Sequence, residues 1–259
     1  MKLKELVLKY GIDKINTLTK YPSIKTLHKI GDRGMLTNEL ATDISLDDEL
    51  CGSEKVDGTN FRMICWGNEY LIGSRKEILT YSKDLCRNSA LDIVDELRKM
   101  VTFPTDFKEL TVIYGELYGG SVGKASKQYG TKNEYGCRIF DVITIKDLSI
   151  LELDIKEISS FREYETDNGI VYGHDFLTNT ELTEFCKKYN FAQVPQLPVD
   201  IKNFDHQTIL DYLNTVVPKT LVALSDSAKM RSEGVVLRNS DRTKIVKLRF
   251  QNYTRTLGV

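Results

Sequence analysis

No stretch of the 259-residue chain approaches the roughly 18 consecutive apolar residues of a membrane-spanning helix. The first residues, MKLKELVLKYGIDK, carry lysines but neither an uninterrupted apolar core nor a small-residue cleavage site, so a soluble, cytoplasmic protein with no membrane partner is expected. Cysteine is sparse. Cys51, Cys65, Cys86, Cys137 and Cys186 are odd in number and far apart, with no CxxC pair for zinc or dithiol exchange, which suits a reducing compartment. The three histidines, His28, His174 and His206, lack HxxxH spacing and read as surface or core residues. With only 5 prolines and 17 glycines beside 41% apolar residues, collagen-like and low-complexity chains are excluded.

A surplus of charge is also missing: the net charge is −1. Its distribution is uneven, because Lys229 to the end holds eight basic and two acidic residues, a surplus of +6 that leaves −7 on the rest. A basic terminal segment suits either a phosphate-binding wall or a solvated face, and charge alone does not choose between them. In the amino-terminal region Lys20, Lys25, Lys29 and Arg33 offer further contacts for a phosphate backbone.

Periodicity supplies the elements. Leu3, Leu6, Val7 and Tyr10 predict a helix ending near Gly11, and a loop-rich stretch is expected from there to Leu50. Phe61, Met63 and Cys65 alternate with Arg62, Ile64 and Trp66, Gly67-Asn68 turns the chain, and Tyr70 to Ile72 returns as the partner of a hairpin. A helix is expected between Asp84 and Val101, packed outside a sheet, and strands over Leu110 to Leu117 and Arg138 to Ile145. Thr178 and Glu181 form a capping-box pattern, and Asp205 precedes another apolar helical stripe. Gly234 to Arg238 and Thr243 to Phe250 predict a last hairpin. Hairpins interleaved with isolated helices point to an α+β fold on antiparallel sheets with flanking helices. No internal repeat or linker divides it, so residues 1–259 are expected to form a single domain.

Two motifs carry chemistry at first sight. Gly119-Gly120-Ser121-Val122-Gly123-Lys124-Ala125 is one residue short of a phosphate loop and has Ala125 where a metal-binding hydroxyl is needed, so it reads as a glycine-rich turn. Ser53-Glu54-Lys55-Val56-Asp57-Gly58-Thr59-Asn60 sets a lysine two residues before an aspartate and a glycine, just ahead of a hairpin strand.

EKVDGTN, then GSR, YGELYGG, FDV, SEGVVLR and KLR, in that order from Glu54 to Arg249, resemble the motif series of the covalent nucleotidyltransferases, the superfamily of polynucleotide ligases and mRNA capping enzymes. The Glu before the lysine and the Thr-Asn after the glycine are most similar to ATP-dependent RNA ligases of the RNA ligase 2 type. The resemblance implies an ATP-grasp-like adenylyltransferase domain in which Lys55 is the nucleophile. A lysyl-AMP forms, AMP passes to an RNA 5′-phosphate, and that end is joined to a 3′-hydroxyl, at nicks or paired ends. It further implies adenine contacts from Glu54 and Phe140, ribose and phosphate contacts from Arg75 and Glu116, and roles for Val56, Asn60, Lys247 and Arg249 in nucleotide binding. A hydrated Mg2+ or Mn2+ would be positioned by Glu233 and Asp57, and Asp141 with Glu116 would assist the 3′-hydroxyl.

A lysine amine is a competent nucleophile only when neutral. At a pKa of about 10.4 about one in a thousand is neutral near pH 7.4, so nearby cations, the metal, Lys247 and Arg249, are expected to favour the free amine. Asp57 stands where many ligases of this type carry histidine, and aspartate is usual in DNA ligases, which makes a DNA ligase the alternative. Capping enzymes usually have arginine at the place of Asn60. A non-catalytic nucleic-acid-binding module of the same fold is the reading from another class. No separate oligonucleotide-binding fold follows Arg249, so a protein partner supplying extra grip on the nucleic acid is an expectation as well.

Overall fold

A computed structural model describes residues 3–81, 85–86, 91–122, 126–167, 169–226, 228 and 232–259. Gly123, Lys124 and Ala125 of the glycine-rich turn, Asp84 of the expected helix, and Lys229 and Arg231 of the basic segment lie outside the described residues.

The chain begins with helices α1 (Leu3–Tyr10) and α2 (Ile12–Leu18), then strand β1 (Lys25–Thr26) and the pair β2 (His28–Ile30) and β3 (Leu36–Leu40). Next come β4 (Leu50–Lys55), β5 (Thr59–Gly67), β6 (Glu69–Ser74), β7 (Ile78–Tyr81), β8 (Leu85–Cys86), α3 (Leu91–Met100), β9 (Phe107–Gly119) and β10 (Tyr135–Ile145). The remainder is α4 (Ile155–Arg162), the hairpin β11 (Glu163–Thr166) and β12 (Gly169–Tyr172), α5 (Asn179–Lys188), β13 (Gln196–Leu197), α6 (His206–Val216), β14 (Gly234–Asn239), β15 (Ile245–Arg249) and α7 (Phe250–Leu257). Among the described residues no helix is long and apolar enough to cross a membrane.

Two larger sheets organise these elements. One runs β10-β9-β5-β6-β7-β8 and is antiparallel throughout. The other runs β1-β15-β14-β4-β13, and its β1–β15 pair is parallel, an exception to the expected antiparallel pattern. Strand alternation gives each sheet two chemistries. Val235, Leu237, Val246 and Leu248 point into a core shared with Leu210 and Leu213 of α6 and Phe250 and Tyr253 of α7. Their neighbours Val236, Arg238, Lys247 and Arg249 line a cavity on the opposite face. In the six-stranded sheet Phe61, Met63, Ile113 and Val142 pack against Val94 and Leu97 of α3 and Leu182 of α5, so α3 covers one face, as expected.

The region expected to be loop-rich, from Gly11 to Leu50, contains α2 and three short strands, and Leu18 and Leu27 within it are fully buried. The strand expected through Phe250 ends at Arg249, because Phe250 turns into α7 and sinks into the core. The expected helix between Asp84 and Val101 occupies Leu91–Met100, with β8 before it. Both capping signals hold. Thr178 accepts from the Glu181 amide while Glu181 caps back, and Asp205 accepts from the Thr208 amide. A further capping box, Asp154 with Glu157, opens α4.

Candidate active site

Lys55 ends β4, and the register places Gly234 of β14 opposite it and Arg249 of β15 opposite Gly234. Three adjacent strand ends therefore carry Lys55, Glu233 and Arg249 to one wall of a cavity of about 490 Å³. The chain then leaves β4 through Val56-Asp57-Gly58 and enters the other sheet at Thr59. Gly58 is required there by close approach, since a Cβ would lie 2.2 Å from the Leu117 carbonyl oxygen. Its N–H donates to Glu116 Oε1 at 3.1 Å. Asn60 pairs directly with Glu116 across β5 and β9, so both side chains face the cavity from the second sheet.

Phe140 reaches the cavity through an irregularity. The β9–β10 register slips between Ile139 and Asp141, leaving Phe140 as the extra residue of a bulge. Phe140 and Asp141 consequently both line the cavity although they are consecutive. The Phe140 ring meets Tyr21 edge-on, with centroids 4.9 Å apart.

The electrostatics are concentrated at Lys55. Its Nζ donates to Glu233 Oε2 at 2.6 Å, and Arg249 Nε pairs with Glu233 Oε1 at 2.8 Å. Glu233, expected to position a metal, here sets its carboxylate between Lys55 and Arg249. Burial, opposed by Lys55 and reinforced by Glu233 and Asp57, pushes the Glu116 carboxyl up to about 8. Asp57 is raised too, by burial and then by Glu233. Lys247 is lowered to about 8 by burial and by the charges of Arg249, Lys55 and Arg75, while its Nζ donates to the Ile24 carbonyl at 2.7 Å.

Unlike Lys20, Lys25, Lys29 and Arg33, every residue singled out by the motif resemblance for the nucleotide, the metal or the 3′-hydroxyl, Glu54, Lys55, Val56, Asp57, Asn60, Arg75, Glu116, Phe140, Asp141, Glu233, Lys247 and Arg249, lines this one cavity. They are not equally free. The Glu54 oxygens accept from Thr220 Oγ1 at 2.6 Å and the Leu221 amide at 2.8 Å, fixing the carboxylate at the wall. Asp141 is 1% exposed and accepts from Arg238 Nη1, Arg242 Nε and the Tyr21 hydroxyl at 2.9, 2.9 and 2.7 Å. Both its oxygens are thus engaged within the protein. Asn60 Oδ1, by contrast, is buried without a hydrogen-bond partner among the described residues, an acceptor available to a ligand.

Sequence reasoning missed Tyr21, Tyr129 and Arg242. The Tyr129 hydroxyl accepts from the Asp57 amide at 2.6 Å and so steadies the turn after Lys55. Arg238 was within reach of the sequence, as the last residue of SEGVVLR. The histidines lie elsewhere, each against a backbone carbonyl: His28 with Phe204, His174 with Leu18 and His206 with Thr37. Among the described residues no group of three or more His, Cys, Asp or Glu is arranged to hold a metal ion. The donor set at Lys55 suits a cation bound mainly through water and phosphate oxygens, with carboxylates Glu233 and Asp57 beside it.

A lysine at a strand end, a facing pair of sheets, and carboxylates and cations around the amine form the arrangement that the motif resemblance to polynucleotide ligases leads one to expect. The family model described as RNA ligase matches residues 48–250, and the chain belongs to the RNA ligase family. The protein Early 65 kDa of Autographa californica nuclear polyhedrosis virus is 28% identical over 176 residues, 68% of this chain and 26% of the viral protein. A mutant RNA ligase of Naegleria gruberi with ATP and Mn superposes with a TM-score of 0.50 at 14% identity, covering 93% of this chain and 62% of that one. Another mutant of that ligase, with AMP and Mn, gives 0.48 at 15% identity, over 90% and 63% of the two chains. The chain thus spans about a quarter of the viral relative and less than two thirds of the Naegleria ligase.

Proposed function

We propose that this chain is an ATP-dependent RNA ligase that works through a lysyl-AMP at Lys55. The observation that carries the reading is the setting of Lys55 Nζ in the cavity, with Glu233 at 2.6 Å and Arg249 and Lys247 on β15, beyond the intervening β14.

In the first step the Lys55 nitrogen attacks the α-phosphorus of ATP. An N–P bond forms, the bond from that phosphorus to the bridging oxygen breaks, and pyrophosphate leaves. The amine must lose a proton, and Glu233 Oε2 is the acceptor already in hydrogen-bond reach. Arg249 and Lys247 lie where they can offset charge on the phosphates. Phe140 offers its face to the adenine, Glu54 reads the base from the wall, and Asn60 Oδ1 takes a ribose hydroxyl, with Glu116 and Arg75 contacting ribose and phosphate. A divalent cation, Mg2+ or Mn2+, held near Glu233 and Asp57 would supply further charge neutralisation. In the second step an oxygen of an RNA 5′-phosphate displaces Lys55 from the adenylate. In the third a 3′-hydroxyl attacks that 5′-phosphorus and AMP leaves.

The test is incubation with ATP labelled at the α-phosphate. Label bound to protein, lost in acid and stable in base, with none on Lys55→Ala, supports the reading; RNA binding without label favours a non-catalytic module. Asp57 favours a second reading, a DNA ligase. Matched nicked duplexes separate the two, and equal or better sealing of the all-DNA nick would select DNA.

A further inference from the structure

The basic residues of the amino-terminal region are not equivalent. Lys25 pairs with Glu165 and Lys29 with Glu39, whereas Lys20, just beyond α2, makes no ion pair among the described residues. Behind Lys20 lies Arg62 of β5, which is 0% exposed. Its Nη2 donates to Asn16 Oδ1, while Nε and Nη1 have no hydrogen-bond partner among the described residues. A guanidinium keeps its charge in any ordinary environment, so this is a buried cation without a carboxylate to balance it. Burial draws its pKa down only to about 10. Gly73 makes the placement possible, because a Cβ there would stand 2.7 Å from Arg62 Nε.

Asn16 joins this cation to the cavity mouth. Its Nδ2 donates at 3.3 Å to the carbonyl of Lys76, in the turn whose Ser74, Arg75 and Lys76 line the cavity. Tyr21 and Pro22, directly after Lys20, line it as well. Lys20 itself does not, and it stands next in the chain to these lining residues, outside the cavity. Its ammonium titrates below the ordinary lysine range, through burial and then repulsion from Arg62 and Arg162, with Asp13 opposing. The local field is positive although Arg162 has Glu163 as a partner.

We propose that Lys20, backed by Arg62, forms a phosphate subsite outside the nucleotide cavity that takes a backbone phosphate of the polynucleotide being joined. This rests on the ligase reading above. The triphosphate has Lys247, Arg249 and Arg75 within the cavity. A strand whose end reacts inside must pass the mouth, and its next phosphates meet a cation that makes no ion pair among the described residues.

The experiment compares wild type with Lys20→Ala, Lys20→Arg and Lys29→Ala in two assays, self-labelling by ATP and anisotropy of a fluorescein-labelled nicked RNA duplex over a salt series. Lys20→Ala is expected to bind the duplex about 3- to 10-fold more weakly, with the slope of log affinity against log salt smaller by about 1. Lys20→Arg should restore both, Lys29→Ala should change neither, and ATP labelling should be equal in all four. Unchanged affinity and slope in Lys20→Ala, or a wild type that binds no RNA, overturns the proposal. A matching loss of ATP labelling also overturns it, by assigning Lys20 to the triphosphate. Absence of label on wild type strikes the ligase reading alone, since the binding comparison is read independently.

Discussion

Around Lys55 the cavity wall holds charges in excess of what the protein can settle among itself: Glu116 raised to about 8, Lys247 lowered to about 8, and Asn60 Oδ1 unpartnered among the described residues. Around Asp141 the same cavity is closed by groups that satisfy one another, with Arg238, Arg242 and Tyr21 converging on one carboxylate and the Arg242 guanidinium 4.0 Å above the Phe176 ring. Both regions are rich in buried charge, but the Asp141 carboxylate has both oxygens engaged within the protein, while Arg242 Nη1 has no hydrogen-bond partner among the described residues. A carboxylate paired in this way serves to hold the two sheets in place; polar groups left unpaired, or titrating away from their ordinary range, are prepared for a ligand that brings the missing charge.

Removing the proton acceptor from the unpaired region should give the largest effect. Glu233→Gln is expected to slow self-adenylylation by about 10²- to 10⁴-fold with the thermal midpoint little changed, measured by single-turnover labelling. The paired region should respond oppositely. Arg242→Ala is expected to cost about 3–5 kcal/mol in urea unfolding, since it strips a partner from buried Asp141, while the folded fraction still takes label. If Arg242→Ala left stability intact but abolished labelling, the contrast would be broken. Phe140→Ala, at the junction, should weaken ATP binding by about 1–3 kcal/mol in stacking, read as a rise in the ATP concentration for half-maximal labelling.

The smallest effect is a stability change with pH. Glu116 has its folded-state pKa raised, so the folded state holds the proton more firmly than the unfolded chain. Stability is therefore lost as pH rises from the ordinary carboxyl range near 4.5 to about 8. Glu116→Gln cannot ionise, and should be more stable than wild type at pH 9 and no more stable at pH 4, by thermal melts without ligand.

Much of this arrangement was legible in the residues, and the illegible parts have physical causes. Gly67-Asn68, Thr178 with Glu181 and Asp205 are local signals, complete within a few residues, and the structure forms the turn and helices they specify. α2 and α7 carry no such signal, since Gly11 and Arg249 at their starts make no side-chain cap, and α7 follows a strand without a break. The Asp154–Glu157 box of α4 was readable and went unread. At the site, the motif residues were identifiable because their chemistry is carried in their own side chains. The bulge that aims Phe140 and the burial of Arg62 depend on register and packing between distant strands, and no local pattern encodes them.

The central claim is a covalent bond between Lys55 and adenylate. Wild-type protein incubated with ATP and a divalent cation, then digested and analysed by mass spectrometry, should show one AMP on the peptide containing Lys55 and none on the Lys55→Ala protein. An adenylate found on another residue, or no adduct under any divalent cation, would contradict it.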